Sequence, residues 1–265
     1  MDALHAFLLA AIQGLTEFLP ISSSAHLVLL PIVMQWQDQG ILIDIAAHLG
    51  SLLAVVFYFR HDLSKIITSW LQSIGTQNKT DDARLAWNIF WATLPIFIVA
   101  LLVQAYLLAY VRNAVIIGVA SIVFAILLWI ADKQGSKIRE NKDLNFKDAL
   151  LIGIAQAFAL IPGASRSGVT MTAGMWLGLT RVEAARFSFL LAIPTILAAS
   201  VYGAYKGMIH DISIDWALTL GVMACSAIVA FLCIDWFLKV VTKLGMMPFV
   251  IYRIVLGCLL LFFYL

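Results

Sequence analysis

Charge is scarce in this 265-residue chain. Only 12% of its residues are Asp, Glu, Lys or Arg, while 63% are hydrophobic. Soluble domains run nearer 25% charged and 45–50% apolar. With a mean hydropathy of +0.98, a soluble fold of this size would lack the polar residues to cover its surface. That excludes a cytosolic enzyme and a disordered chain. Cysteine is scarce too. Cys225, Cys233 and Cys258 lie inside apolar runs, with no CxxC pair and no His at metal spacing, so a disulfide scaffold is excluded and small buried side chains remain. The net charge of +2 provides no basic field for nucleic acid. No Lys or Arg precedes the first apolar stretch, so a cleaved signal peptide is not expected and the first helix should stay in the mature protein. What is left is a polytopic membrane protein, its spans about 20 residues each.

Six segments read as full spans, at 41–59, 87–111, 113–131, 187–205, 216–235 and 247–264. Two further apolar stretches, 4–34 and 149–179, are interrupted. The first breaks at Pro20 before Ser22-Ser23-Ser24, the second at Pro162-Gly163 before Ser165-Arg166-Ser167-Gly168. Each half is too short to cross a bilayer alone, so both stretches are expected to be re-entrant helical hairpins. Segments 60–86 and 132–148 read as connections. They carry Arg60, Lys65, Lys79, Arg84, Lys133, Lys137, Arg139, Lys142 and Lys147, and Arg181, Lys239 and Lys243 fall on the same side. The other side shows Arg112 and Lys206. The positive-inside rule makes the first side cytoplasmic, leaves both termini outside and brings the hairpins in from opposite faces. Asn78-Lys79-Thr80 matches a glycosylation sequon but falls in that cytoplasmic connection and is discounted.

A faint internal repeat accompanies this plan. Residues 46–55 align with 184–193, and Gln13…Pro20…Ser23 aligns loosely with Gln156…Pro162…Ser165 at nearly the same offset. The expected fold is therefore an all-α polytopic membrane protein with six transmembrane helices plus two re-entrant hairpins in an inverted repeat. Residues 1–265 form one integral membrane domain, with repeats near 1–131 and 149–265 joined by a cytoplasmic connector, 132–148. In such folds the broken helices meet near the midplane and build the site.

Polar groups within apolar segments cost free energy and mark candidate function. In the first hairpin Gln13 and Glu17 share a helix face, and Ser22, Ser23, Ser24 and His26 follow the Pro20 break. A carboxylate, hydroxyls and an imidazole suit metal binding, nucleophilic attack and proton transfer. In the second hairpin Arg166 stands among Ser165, Ser167 and Thr170 at a helix start. A positive dipole end, free backbone N–H groups and a planar fork of donors there suit a phosphate. Together they point to phosphate chemistry on a lipid. Asp44 and His48, four apart, are a weaker candidate pair for the same cavity. Gly174/Gly178 and Gly203/Gly207 have GxxxG spacing that suits close helix contact within the chain, with a homodimer seam as the alternative. Arg253, inside the last span, either pairs with a buried acceptor or reaches the site.

The sequence closely resembles the undecaprenyl-diphosphate phosphatase family, also called bacitracin-resistance proteins. Gln13-Gly14-Leu15-Thr16-Glu17 fits that family's (E/Q)xxxE motif, and Pro162-Gly163-Ala164-Ser165-Arg166-Ser167-Gly168-Val169-Thr170 fits its PGxSRSxxT motif. The segments Phe18–His26 and Pro248–Arg253 are similar as well. Gln13 stands where Glu is commoner, which removes one negative metal ligand, and Ser24-Ala25 stands where Thr-Gly is frequent. The resemblance implies hydrolysis of undecaprenyl diphosphate to the monophosphate and inorganic phosphate, recycling the lipid carrier of cell-wall synthesis and conferring bacitracin resistance. It implies a divalent cation, Mg2+ or Ca2+, at Glu17 and Gln13. Ser23 is then the nucleophile, forming a phospho-enzyme or else positioning water; His26 assists proton transfer, and either Glu17 or His26 is the general base. Arg166 holds the diphosphate with Ser22, Ser165, Ser167 and Thr170. The protein would be multi-pass in the bacterial inner membrane, its site opening to the periplasmic face. The main rival is a polyprenyl-phosphate flippase or secondary transporter, which should carry coupling carboxylates on both hairpins, and the second hairpin has none. A non-catalytic scaffold would leave the buried polar residues unexplained.

Overall fold

The computed structural model describes residues 2–36, 40–75, 80–110, 113–209 and 215–264. Eleven α-helices and no strand are found among them. The order is α1 (Ala3–Thr16), α2 (Ser23–Met34), α3 (Ile41–Tyr58), α4 (Arg60–Gly75), α5 (Asp81–Tyr110), α6 (Ala114–Gln134), α7 (Phe146–Ala157), α8 (Arg166–Trp176), α9 (Arg181–Ile209), α10 (Trp216–Leu244) and α11 (Met247–Tyr264). Six of these, α3, α5, α6, α9, α10 and α11, are long and apolar enough to cross a membrane, and they coincide with the six expected spans. The chain is an all-α polytopic membrane protein.

The two interrupted stretches break where their sequences predict. α1 is 14 residues and α2 is 12, so at 1.5 Å per residue each is roughly 20 Å long, short of a hydrocarbon core of about 30 Å. Pro20 has no N–H to continue α1. Ser22 then takes φ 72° and caps α2, its Oγ accepting from the Ala25 N–H at 3.4 Å. The second stretch repeats this closely. α7 runs on through a 3₁₀ turn (Phe158–Leu160), the chain breaks, and Ser165 at φ 71° caps α8 by accepting from the Gly168 N–H at 3.1 Å. Gly163 sits at φ +90°, and a Cβ there would lie 2.5 Å from the Ile117 carbonyl oxygen, so this bend admits no side chain.

α1 lies along α10 while α7 lies along α5, α6 pairs with α11, and α3 packs on α10 and α9. The core runs through Phe18, Phe189, Phe237 and Phe249, with Phe18 edge-on to Phe189 at 5.2 Å. Three of the glycines with GxxxG spacing sit close to other parts of the chain. Gly174 meets Leu179 and Ala184, Gly178 meets Ser136 and Arg139, and Gly203 meets Ile45.

One connection differs from expectation. Residues 60–86, read as a loop, contain α4 and the first turns of α5. α4 escapes a search for spans because its apolar residues are too few and form one stripe, of which Ile67, Leu71 and Ile74 stay exposed. The 132–148 connector is pinned at both ends. Asp132 accepts from Arg181 at 2.5 Å, and Arg139 pairs with Asp148 at 2.6 Å while its backbone bonds Gly178 and Thr180. Lys79, Arg112 and the 78–80 sequon's first two positions lie outside the described residues.

Candidate active site

Ser23 and Arg166 are the first residues of α2 and α8, so each is aimed by its preceding serine cap. The two helix starts converge on one carboxylate. Glu17, 7% exposed, accepts from Ser23 Oγ at 2.7 Å and from Gln13 Nε2 at 2.8 Å, both on Oε2. Its Oε1 faces Arg166 Nη2 at 3.2 Å, and Arg166 Nη1 donates to the Ser188 carbonyl at 3.1 Å. A hydroxyl, an amide and a guanidinium therefore meet on a single carboxylate. These groups open on a cavity of about 450 Å³ whose wall includes Glu17, Ser22, Ser23, Ser24, Ser165 and Arg166. Ile41 and Ile45 of α3, Ile96 of α5 and Ile196 of α9 add apolar wall, interleaved with Asp44, His48 and Thr195.

The remaining expected residues have other employment. Ser167 and Thr170, 1% and 2% exposed, do not reach the cavity wall. Ser167 Oγ donates to the Leu19 carbonyl at 2.7 Å, tying one break to the other, and Thr170 Oγ1 bonds the Arg166 carbonyl at 2.9 Å and Ser188 Oγ at 2.7 Å. Thr170 thus fixes the Arg166 backbone and its neighbour Ser188, Ser167 fixes the first break, and both hydroxyls are engaged within the protein. His26 is not on the wall either. Its Nδ1 donates to the Ser22 carbonyl at 2.7 Å, and its Nε2 meets the Tyr252 hydroxyl at 2.5 Å. Because a carbonyl only accepts, Nδ1 carries the proton, and the Nε2 lone pair is taken by Tyr252. The imidazole that faces Glu17 is His48, with Nε2 3.9 Å from Oε2 and Nδ1 held by the Asp44 carbonyl at 2.7 Å. Asp44 and His48, the weaker candidate pair in the sequence, both line the cavity; the contact with Glu17, 31 residues away, is what local sequence pattern did not show.

The donors present suit a hard divalent cation. Gln13 Oε1 is fully buried with no hydrogen-bond partner among the described residues, and Glu17 adds two carboxylate oxygens. No cluster of three or more His, Cys, Asp or Glu at metal spacing is found among the described residues. One carboxylate and one amide are too few to cage either Mg2+ or Ca2+ alone; phosphate oxygens and water would complete the shell of either ion.

A profile for "Bacitracin resistance protein BacA" matches residues 6–259. The chain belongs to this family. It is 48% identical over 263 residues to the "Undecaprenyl-diphosphatase 1" of Pseudoalteromonas translucida (strain TAC 125), covering 99% of each chain. It is 47% identical over 265 residues to the "Undecaprenyl-diphosphatase" of Nitrosococcus oceani, covering all of both, and 45% identical to that of Teredinibacter turnerae, covering 98% of each.

Proposed function

We propose that this protein hydrolyses undecaprenyl diphosphate to undecaprenyl phosphate and inorganic phosphate, and so recycles the lipid carrier of cell-wall synthesis and confers bacitracin resistance. The observation that carries the reading is the shared carboxylate: Glu17 binds the Ser23 hydroxyl on one oxygen and faces the Arg166 guanidinium with the other. The relatives' names supply the substrate. The isoleucines of the cavity wall suit the first isoprene units, and the polar groups around Glu17 suit the diphosphate.

In the proposed reaction the terminal phosphate lies against the starts of α2 and α8. Their first-turn N–H groups have no acceptor within the helix, and their dipoles favour an anion. Arg166 turns its remaining donors from Glu17 toward the phosphate oxygens, matching them two at a time. Glu17 Oε2 takes the Ser23 proton as Ser23 Oγ bonds the terminal phosphorus. The anhydride P–O bond breaks, and its electron pair leaves on the polyprenyl monophosphate. Water then attacks phosphorus, the Ser23 Oγ–P bond breaks as Glu17 returns the proton to Oγ, and the water's oxygen and protons leave with inorganic phosphate. Gln13, Glu17 and the substrate phosphates would hold Mg2+, which when bound offsets phosphate charge in an in-line displacement. His26 acts in this scheme by holding the Ser22 carbonyl beside the nucleophile.

The packing of α1 along α10 and of α7 along α5, with the matching caps at Ser22 and Ser165, supports an inverted repeat of two re-entrant hairpins. The cavity's α3 wall, Ile41 to His48, is the start of that helix, and its α9 wall extends to Gly203 near the end. Both lie at the pole opposite the basic connector 132–148, which supports a site open to the periplasmic side of the inner membrane. The test is phosphate release by the purified protein from farnesyl or undecaprenyl diphosphate, with and without chelator. Release that a Ser23→Ala variant loses is expected. Wild-type protein that binds the diphosphate without cleaving it would overturn the hydrolase reading.

A further inference from the structure

Arg253 is the largest fully buried side chain among the described residues, at 0% exposure in the middle of α11, and it is absent from the cavity wall. Its described hydrogen-bond partners are all neutral carbonyls. Nη1 donates to Pro20 at 3.2 Å, in the first break. Nη2 donates to Gly163 at 2.8 Å and Ala164 at 2.9 Å, in the second. Nε donates to Ser121 of α6 at 3.2 Å, which fixes the stem. Carbonyls at a helix break have no acceptor-satisfying partner of their own in an apolar layer, and leaving them unpaired is costly. One planar guanidinium satisfies three of them at once, across the gap between two loops. Lysine cannot do this, because its three donors radiate from one atom. Gly168, in the first turn of α8, belongs to the same arrangement. A Cβ there would lie 2.7 Å from Arg253 Nη1.

The bonded carbonyls stand two or three residues ahead of Ser23 and Arg166. We infer that Arg253 is a positioning residue: by gripping both breaks it sets the nucleophile of one hairpin against the phosphate-binding arginine of the other. Ser167, bonded to the Leu19 carbonyl, is the lesser tie between the same loops. The kinetic part of this inference rests on the hydrolase reading above, and the structural part does not.

The test uses Arg253→Lys and Gly168→Ala in the full-length protein in detergent. Amide hydrogen exchange should rise roughly tenfold or more at 19–25 and at 161–168 together, with α3 and α9 unchanged. For farnesyl diphosphate, kcat should fall about 10- to 100-fold, the scale of a misplacement near 1 Å, while KM stays within about threefold because Arg253 does not line the cavity. Gly168→Ala should reproduce this by displacing the guanidinium, and the double variant should be no worse than either single one. Placed on Ser23→Ala, Arg253→Lys should subtract nothing further, whereas a merely structural residue would add its full loss. Unchanged exchange in both variants, loosening of one break alone, or full additivity with Ser23→Ala would each overturn the inference. If the wild-type protein released no phosphate, the hydrolase reading would fail, and the exchange comparison would still decide whether Arg253 joins the two breaks.

Discussion

Arg166→Lys keeps one positive charge and removes the fork, so it separates recognition of a diphosphate from simple charge balance. In the resting site Arg166 spans two acceptors, Glu17 Oε1 at 3.2 Å and the Ser188 carbonyl at 3.1 Å. A lysine ammonium can stay beside Glu17, and the buried carboxylate keeps its cation. It cannot at the same time hold Ser188 and grip phosphate bidentately. Loss of preorganised, charge-assisted donors at a developing phosphoryl charge costs about 2–4 kcal/mol of transition-state stabilisation, or roughly 30- to 1000-fold in rate. Arg166→Ala should do the same to the rate and also destabilise the fold. It leaves Glu17, 7% exposed, as an unpaired buried charge, and breaking such a pair costs about 3–5 kcal/mol. The assay is kcat/KM for phosphate release from farnesyl diphosphate in detergent, with Tm measured on each variant. The expected pattern is a lysine variant with normal Tm and poor turnover, and an alanine variant poor in both. A well-folded Arg166→Lys protein with near-normal turnover would make Arg166 a structural anchor and refute the phosphate-cradle argument.

Neighbouring serines should separate cleanly. Ser22→Ala removes a cap and should lower stability by about 1 kcal/mol, with activity reduced less than in Ser23→Ala, which should lose turnover at unchanged Tm; equal kinetic losses would deny Ser23 its role as nucleophile. Gln13→Glu places a charge where a buried oxygen now lacks a partner, so the Mg2+ concentration giving half-maximal rate should drop several-fold, and a rate indifferent to both chelator and this substitution would remove the cation from the mechanism. Glu17→Gln should be at least as damaging as Arg166→Lys, about 100-fold or more, without rescue by added Mg2+; recovery at high Mg2+ would mean the carboxylate serves only the metal. A cysteine introduced in 133–147 of a cysteine-free variant should resist an impermeant thiol reagent in intact cells, and labelling from outside would reverse the orientation.

Much of this protein was legible in the sequence because the bilayer constrains it so strongly. A span needs about 20 apolar residues and tolerates few charges, so the six helices could be placed by length and hydropathy alone. Pro20 and Pro162-Gly163 marked both breaks, since proline cannot continue a helix and glycine accepts the bend. Polar residues stand out against such a background, which is why Glu17, Ser23 and Arg166 were identifiable before their contacts were known. α4 was missed because its apolar residues are few and spaced by polar ones, leaving no hydrophobic run to detect. What local pattern cannot specify is which polar groups face each other across 149 residues, as Glu17 and Arg166 do. Tertiary packing made that choice. It turned Ser167 and Thr170 inward as supports, engaged His26 with Tyr252, and set His48 beside Glu17. It also assigned Arg253 to three carbonyls on two loops. A hydrogen bond depends on the direction and distance of both partners, and those are fixed only when every helix has found its neighbour.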